Sequence, residues 1–367
     1  MQTIQTPAFV LEEEKLIKNL KLLSSVEQQS GAKVLMALKA FSMHQAFPLI
    51  REYLTGAAIS SLNEALLVQE YWGDKSFVYS PVYTEKEIIQ YRELASHLVF
   101  NSIAQLGKYK SLLPNISLGL RINPEVSDIK VDMYNPSSSF SRLGVPISAI
   151  KELPLGVEGI HIHALCENDV TSLIKVVGII EDKFARELHQ LKWINLGGGH
   201  AITRKDYDVK SLIDLLLRLR KKYKLEVYIE PGSAVAWESG YLLSTILDIV
   251  PTASGEEVAI LDCSFVAHMP DCLEMPYKPH VESEFINGEH KYIFGGTTCL
   301  AGDQVSGFSF NKRLEIGDRV KFLDMMHYTM VKTNHFNGVI HPNIYKCGIN
   351  SELKLHKSYN YNSFRKK

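Results

Sequence analysis

The sequence predicts an α/β fold, a closed parallel (β/α)8 barrel followed by a mostly β domain, and three observations carry that expectation. Between Lys33 and Gly232, short apolar runs that end in polar or small residues alternate with helical patterns. They make about eight β/α units, the number that closes a parallel barrel. The intervening segments carry one-sided stripes, such as Leu173, Val177, Ile180, Phe184, Leu188 and Leu191, or Leu212, Leu215, Leu216, Leu219 and Tyr223. Such stripes need a sheet to pack against. After Gly232 the rhythm changes to strand-like runs without regular helices between them.

In order, the barrel runs are KVLMALKA (33–40), GAAISS (56–61), FVYSP (77–81), HLVFNS (97–102), ISLGLRINP (116–124), GIHIHAL (159–165), WINLGGG (193–199) and EVYIEPG (226–232). One long interruption, 125–156, holds the Ser-rich NPSSSFSRLG (135–144) and is too long for an ordinary connection. The later runs are 241–250, 257–265, 291–296 and 319–331, the last opened by Gly317-Asp318 as a hairpin turn. We therefore expect residues 1–25 to join the β domain through PAFVLEE (7–13), 26–235 to form the barrel, and 236–367 the β domain. The polar, basic tail from His356 is expected to be disordered.

Forty Lys and Arg against 41 Asp and Glu leave no excess field to hold a polyanion, so a nucleic-acid partner is not expected. The first ten residues lack a signal pattern, and no apolar run approaches the roughly 20 residues of a membrane span. A cytoplasmic protein without a membrane role is the expectation. Five scattered cysteines without a CxxC pair argue against a disulfide framework and a structural zinc site.

Barrel chemistry lies at the C-terminal strand ends, which here read Lys39, Ser60, Ser61, Ser80, Asn101, Arg121, Asn123, His161, His163, Gly197 to Gly199 and Glu230. Desolvation at a strand end lowers the pKa of an amine and frees Lys39 to attack an aldehyde, although a snorkelling lysine suits the same position. Gly197 to Gly199 follow the seventh strand, where bare backbone can converge on phosphate or simply turn. Glu230 can pair with a protonated ring nitrogen or be a solvated turn acid. His161 and His163 share a face, a metal-ligand spacing, but the other strand ends supply few ligands to complete a shell, and one histidine stacked on a flat cofactor needs fewer parts. Cys299, in GGTTCLAGD (295–303), is either a presented thiol or an inert buried one.

Together, ALKA, HIHALCE, GGGH, EPG, CLAGD and HYTMVKTNHFNG resemble, in the same order over nearly the whole chain, the fold-type III pyridoxal-phosphate decarboxylases, whose barrel is alanine racemase-like. That family includes ornithine, diaminopimelate and carboxynorspermidine decarboxylases. HIHALCE, AHMPDCLEMPY (267–277) and TTCLAGD resemble most the branch acting on carboxynorspermidine or carboxyspermidine. Ser233 stands where the ornithine and diaminopimelate branches usually carry Arg, and Ala164-Leu165-Cys166 where they carry Gly-Ser.

The resemblance implies pyridoxal 5'-phosphate held covalently by Lys39, His163 stacked on its ring, Glu230 at its ring nitrogen, and Gly198, Gly199 and Tyr328 at its phosphate. It further implies Cys299 as the acid that returns a proton, with Asp303 nearby, and a homodimer in which the cysteine loop and Phe336 segment serve the partner's site. Arg142 resembles a basic residue that pairs across that interface. The far amines of a carboxylated polyamine substrate need acids, for which Asp271 and Glu274 are the candidates. Diaminopimelate decarboxylase is the runner-up. A non-catalytic pyridoxal-phosphate carrier and a barrel metallohydrolase stand as alternatives of other classes.

Overall fold

The structure, a computed structural model, describes residues 4–129 and 135–366. Residues 1–3, 130–134 and 367, parts of the expected N-terminal segment, long loop and basic tail, lie outside the described residues. The chain divides into two compact units, one of Asn19–Val235 and one built from its two ends, up to Lys18 and from Ala236 onward. After β1 (Ala8–Glu12), which belongs to the second unit, the first unit contains β2 (Lys33–Ala37), β3 (Gly56–Ile59), β4 (Ser76–Tyr79), β5 (Ala95–Phe100), β6 (Ser117–Asn123), β7 (Val145–Pro146), β8 (Gly159–Ile162), β9 (Trp193–Asn195) and β10 (Glu226–Ile229).

Strands β2, β3, β4, β5, β6, β8, β9 and β10 pair in parallel in that order, and β10 returns to β2, which closes an eight-stranded barrel; β7 extends β6 at its end. Ser61, Thr84, Ser102, Asp169 and Asp208 begin the outer helices by accepting backbone N–H groups that the first turn leaves unpaired. Thr84 and Glu87 complete a reciprocal cap. Helix Val209–Tyr223 buries Leu212, Leu215, Leu216, Leu219 and Tyr223, the predicted stripe, and ends where Lys224 turns left-handed at φ 56°. Leu216 is fully buried, so removing it as Leu216→Ala costs about 2–5 kcal/mol.

Inside the barrel, period-two alternation stacks side chains in layers. Leu35, Ala58, Phe77, Val99, Trp193 and Tyr228 form one apolar layer. Trp193 fits because Gly119 and Gly159 face it: a Cβ at either would lie 2.3 or 2.0 Å from the indole. The next inward residues are Ala37, Ser60, Tyr79, Asn101, Asn195 and Glu230, so the barrel changes from oily to polar within one step along the strands.

In the second unit, β1 pairs antiparallel with β11 (Gly240–Pro251) and parallel with β16 (Asn343–Cys347). The sheet runs β14 (Gln304–Phe310), β13 (His290–Gly295), β12 (Glu257–Leu261), β11, β1, β16, β17 (Leu353–Lys357), and β15 (Arg319–Leu323) also pairs with β11. Two expectations are corrected here. Gly317-Asp318 does not close a hairpin, because the strand after it, β15, pairs with β11 while β14 pairs with β13. The described part of the tail, 356–366, is ordered, because Asn360 caps a short helix, Tyr361–Arg365, and Phe364 packs edge-on against His335. Among the described residues, no helix is long and apolar enough to cross a membrane.

Candidate active site

Lys39 lies in the turn just past β2, pinned by the Leu38 N–H to the Ala58 carbonyl at 3.0 Å. Solvent reaches it through the open mouth, yet barrel atoms surround the amine. Desolvation, followed by repulsion from the Arg121 guanidinium, holds its pKa below the ordinary lysine value. Its Nζ is 3.4 Å from Nε2 of His163. His163 Nδ1 accepts the Gly198 N–H at 2.9 Å, so a neutral ring carries its proton on Nε2, facing the amine. Burial and the surrounding cations, Lys39 first, keep His163 neutral.

Glu230 is 8% exposed and one residue past β10. Its Oε1 accepts from Asn195 Nδ2 at 2.7 Å, and its Oε2 lies 3.5 Å from His161 Nε2 without forming a hydrogen bond. Burial pushes the Glu230 carboxyl up, but its neighbours outweigh burial and it stays ionised. Burial equally keeps His161 neutral. We therefore assign the compensating charge to Lys39 and Arg121, since a third buried cation would cost more than it returns. Arg121, 4% exposed, stacks its guanidinium 4.5 Å from the Tyr79 ring centroid and donates to the His163 carbonyl at 3.2 Å.

The glycine strip crosses between two strand ends. A Cβ at Gly197, Gly198 or Gly199 would lie 2.4, 2.3 or 2.1 Å from the carbonyl oxygens of Ile162, Glu230 and Leu165 respectively. Only bare backbone fits, and Gly197 and Gly199 take positive φ as well. Of the two amides expected to meet phosphate, that of Gly198 already donates to His163, because the strip is drawn under the imidazole.

These residues suit a flat aldehyde cofactor with a basic ring nitrogen. The pKa of the amine is lowered, the carboxylate is buried and ionised, and both His161 ring nitrogens are buried without hydrogen-bond partners among the described residues. Tyr79 and Asn195 were not singled out from sequence. Each follows by two positions a bulky inward residue, Phe77 or Trp193, and that phase is the signal that finds them.

The remaining candidates belong to the β unit. Cys299 is exposed on the loop joining β13 to β14 and lines an open cavity of about 250 Å³ with Val258, Ile260, Thr298, Asp303 and Gln304. Asp303, expected near Cys299, is 4% exposed and holds this loop: it accepts from Thr298 N–H (3.1 Å), Thr298 Oγ1 (2.7 Å) and Val266 N–H (3.0 Å). Asn334 binds the Val266 and Ala267 carbonyls and orients the turn carrying exposed Phe336. Asp271 accepts from Tyr277 and from Thr329, the neighbour of Tyr328, and Glu274 pairs with Lys332. One network thus ties the cysteine loop, the 265–274 helices and the 328–336 segment.

A lysine at the mouth end of the first barrel strand, a neutral histidine beside its amine and a buried acid at the last strand suit a barrel enzyme that uses an aldehyde cofactor. Residues 15–237 match the pyridoxal binding domain of the pyridoxal-dependent decarboxylases. The chain is 42% identical to a carboxynorspermidine/carboxyspermidine decarboxylase of Campylobacter jejuni, over 99% of this chain and 98% of that one. It is 43% identical to a carboxyaminopropylagmatine decarboxylase of Synechocystis, over 100% and 96%. The crystal structure of carboxynorspermidine decarboxylase from Campylobacter jejuni, complexed with norspermidine, superposes with a TM-score of 0.92 at 42% identity, covering 98% of each chain. The chain belongs to the pyridoxal-dependent decarboxylases, enzymes that use pyridoxal phosphate.

Proposed function

We propose that this enzyme removes the carboxylate of carboxynorspermidine or carboxyspermidine to leave norspermidine or spermidine. The observation that carries the reading is the barrel mouth, where Lys39, neutral His163 and ionised Glu230 converge. The bound cofactor supplies an electron sink for the pair left when carbon dioxide departs. Lys39 would hold it through its side-chain amine, whose pKa burial lowers. Glu230, fixed by Asn195, would keep the ring nitrogen protonated, and His163, fixed by Gly198, would cover one face and exclude water. The Gly199 amide would meet the cofactor's phosphate, and the family resemblance adds Tyr328. Cys299, exposed on its loop, returns a proton to carbon.

Asp271 is the acid best suited to a distal ammonium. Its Oδ1 is buried with no hydrogen-bond partner among the described residues, whereas Glu274 faces Lys332. The same oxygen disfavours diaminopimelate, whose far end carries a second carboxylate. Carboxyaminopropylagmatine is the second reading, favoured by the Synechocystis relative. Its guanidinium would meet Asp271 at the open Oδ1, since Tyr277 and Thr329 occupy Oδ2. We further infer a cytoplasmic homodimer in which the Cys299 loop, Phe336 and Arg142 act at the shared boundary. Chromatography of the amines released from all three carboxylated polyamines, diaminopimelate and ornithine tests the reading. Turnover of diaminopimelate alone would reject it, and light scattering measures the oligomer.

A further inference from the structure

Asn101, one residue past β5, has no part in the chemistry above, yet its amide binds only groups that surround Arg121. Its Oδ1 accepts from the Tyr79 hydroxyl at 2.7 Å and from the Gly144 N–H at 2.6 Å, and its Nδ2 donates to the Arg142 carbonyl at 2.9 Å. All of the amide's described bonds therefore run to one neighbourhood. The Tyr79 ring lies against the guanidinium. Gly144 packs on the aliphatic stem of Arg121: a Cβ added there would lie 3.0 Å from Cγ, and its φ of +85° resists any side chain. With the bond to the His163 carbonyl, the cation is held from three sides.

We propose that Asn101 is a positioning residue, which clamps the 142–144 segment to Tyr79, fixes the place of the Arg121 charge and so sets the electrostatic field at Lys39. The proposal rests on the reading that Lys39 carries the cofactor. Arg121 is faced by Tyr79, Glu230 and Arg142, and Lys39 by Arg121, Glu230, Glu64, Cys166 and His163. Around Lys39, then, Arg121 is the cation that opposes two acids, because His163 is neutral. If the clamp is released and Arg121 drifts, Glu230 and Glu64 act with less opposition, and a proton on the lysine nitrogen is held more tightly.

The measurement is the pH titration of the visible absorbance of the enzyme reconstituted with pyridoxal phosphate, which reports protonation of the lysine–cofactor linkage independently of turnover. Asn101→Ala should move the midpoint upward by about half a unit or more. Tyr79→Phe, which keeps the ring and removes one hydrogen bond to the amide, should move it less in the same direction. In an Arg121→Met background, Asn101→Ala should add nothing, because its effect travels through the missing charge. An unchanged midpoint in both single variants overturns the proposal, as does a shift that persists in full without Arg121. Should Asn101→Ala fail to fold, Tyr79→Phe and its Arg121→Met double variant decide. A wild-type enzyme with no lysine-linked absorbance would instead overturn the cofactor assignment, and this proposal with it.

Discussion

In the barrel, Lys39, His161, His163, Asn195 and Glu230 stand on strands or within two residues of their ends, and the two-residue period decides where they point. In the β unit, Cys299 and Phe336 stand on loops and turns whose shape is decided by side chains such as Asp303 and Asn334. The difference separates two kinds of vulnerability. A barrel-end residue can be exchanged with loss of chemistry alone, since hydrogen bonds of the parallel sheet hold its backbone. A loop residue depends on its supports, so a substitution that touches no substrate can still remove activity.

Lys39→Ala gives the strongest test of the barrel side. It should abolish the visible absorbance of bound cofactor and borohydride labelling, and lower kcat/KM by at least about 10³-fold, with an unchanged far-ultraviolet dichroism spectrum. Loss of the fold would show that the barrel end is less independent of its residues than the strands imply. Cys299→Ala is the counterpart in the β unit: cofactor absorbance should persist while correct product falls by about 10²–10⁴-fold. A variant as active as wild type would remove the thiol from the chemistry. Glu230→Gln sits between them. It should keep the cofactor, since Asn195 can bond either side chain, and lower kcat by about 10²-fold.

How much was legible in the sequence follows the same division. Lys39, His163 and Glu230 could be read because each closes an apolar run, and the barrel could be counted from those runs. Asn195 and Tyr79 lay in plain phase with Trp193 and Phe77 but carry no motif of their own, and the glycine strip could not reveal that His163 would take the Gly198 amide. In the β unit the short strands β14, β16 and β17 lack long apolar runs and were missed. The task of Asp303 was also hidden, because its partners lie 5 and 37 residues away and only the tertiary fold brings them together.

Asp303→Ala tests the supports directly. Three hydrogen bonds to a buried carboxylate vanish and the Thr298 and Val266 groups lose their acceptor, which should destabilise the β unit by about 2–4 kcal/mol. Calorimetry should register the loss, and product formation should fall with cofactor absorbance retained. Activity equal to wild type would mean that the cysteine loop keeps its shape by other means.

The smallest effect lies on the outside of the barrel. Glu181 accepts both Arg218 Nη groups at 2.7 Å, Lys222 at 2.9 Å and the Tyr223 hydroxyl at 2.9 Å. Burial pushes its carboxyl up, but these donors overcome it and hold the pKa at about 2. A depressed carboxylate pKa stabilises the fold above the unfolded value near ~4.3, and that contribution is lost as pH falls through about 2. The Arg218 and Lys222 side chains are 44% and 49% exposed, so solvent screening leaves roughly 1 kcal/mol of the larger figure the shift alone would suggest. Glu181→Gln should therefore lower the melting temperature of the barrel by about 2–4 °C at pH 7, with the gap closing toward pH 2. Cofactor absorbance should not change, because the strands, and not the ion pairs of the outer helices, fix the mouth. A lost absorbance at unchanged melting temperature would show that the helical shell reaches the site.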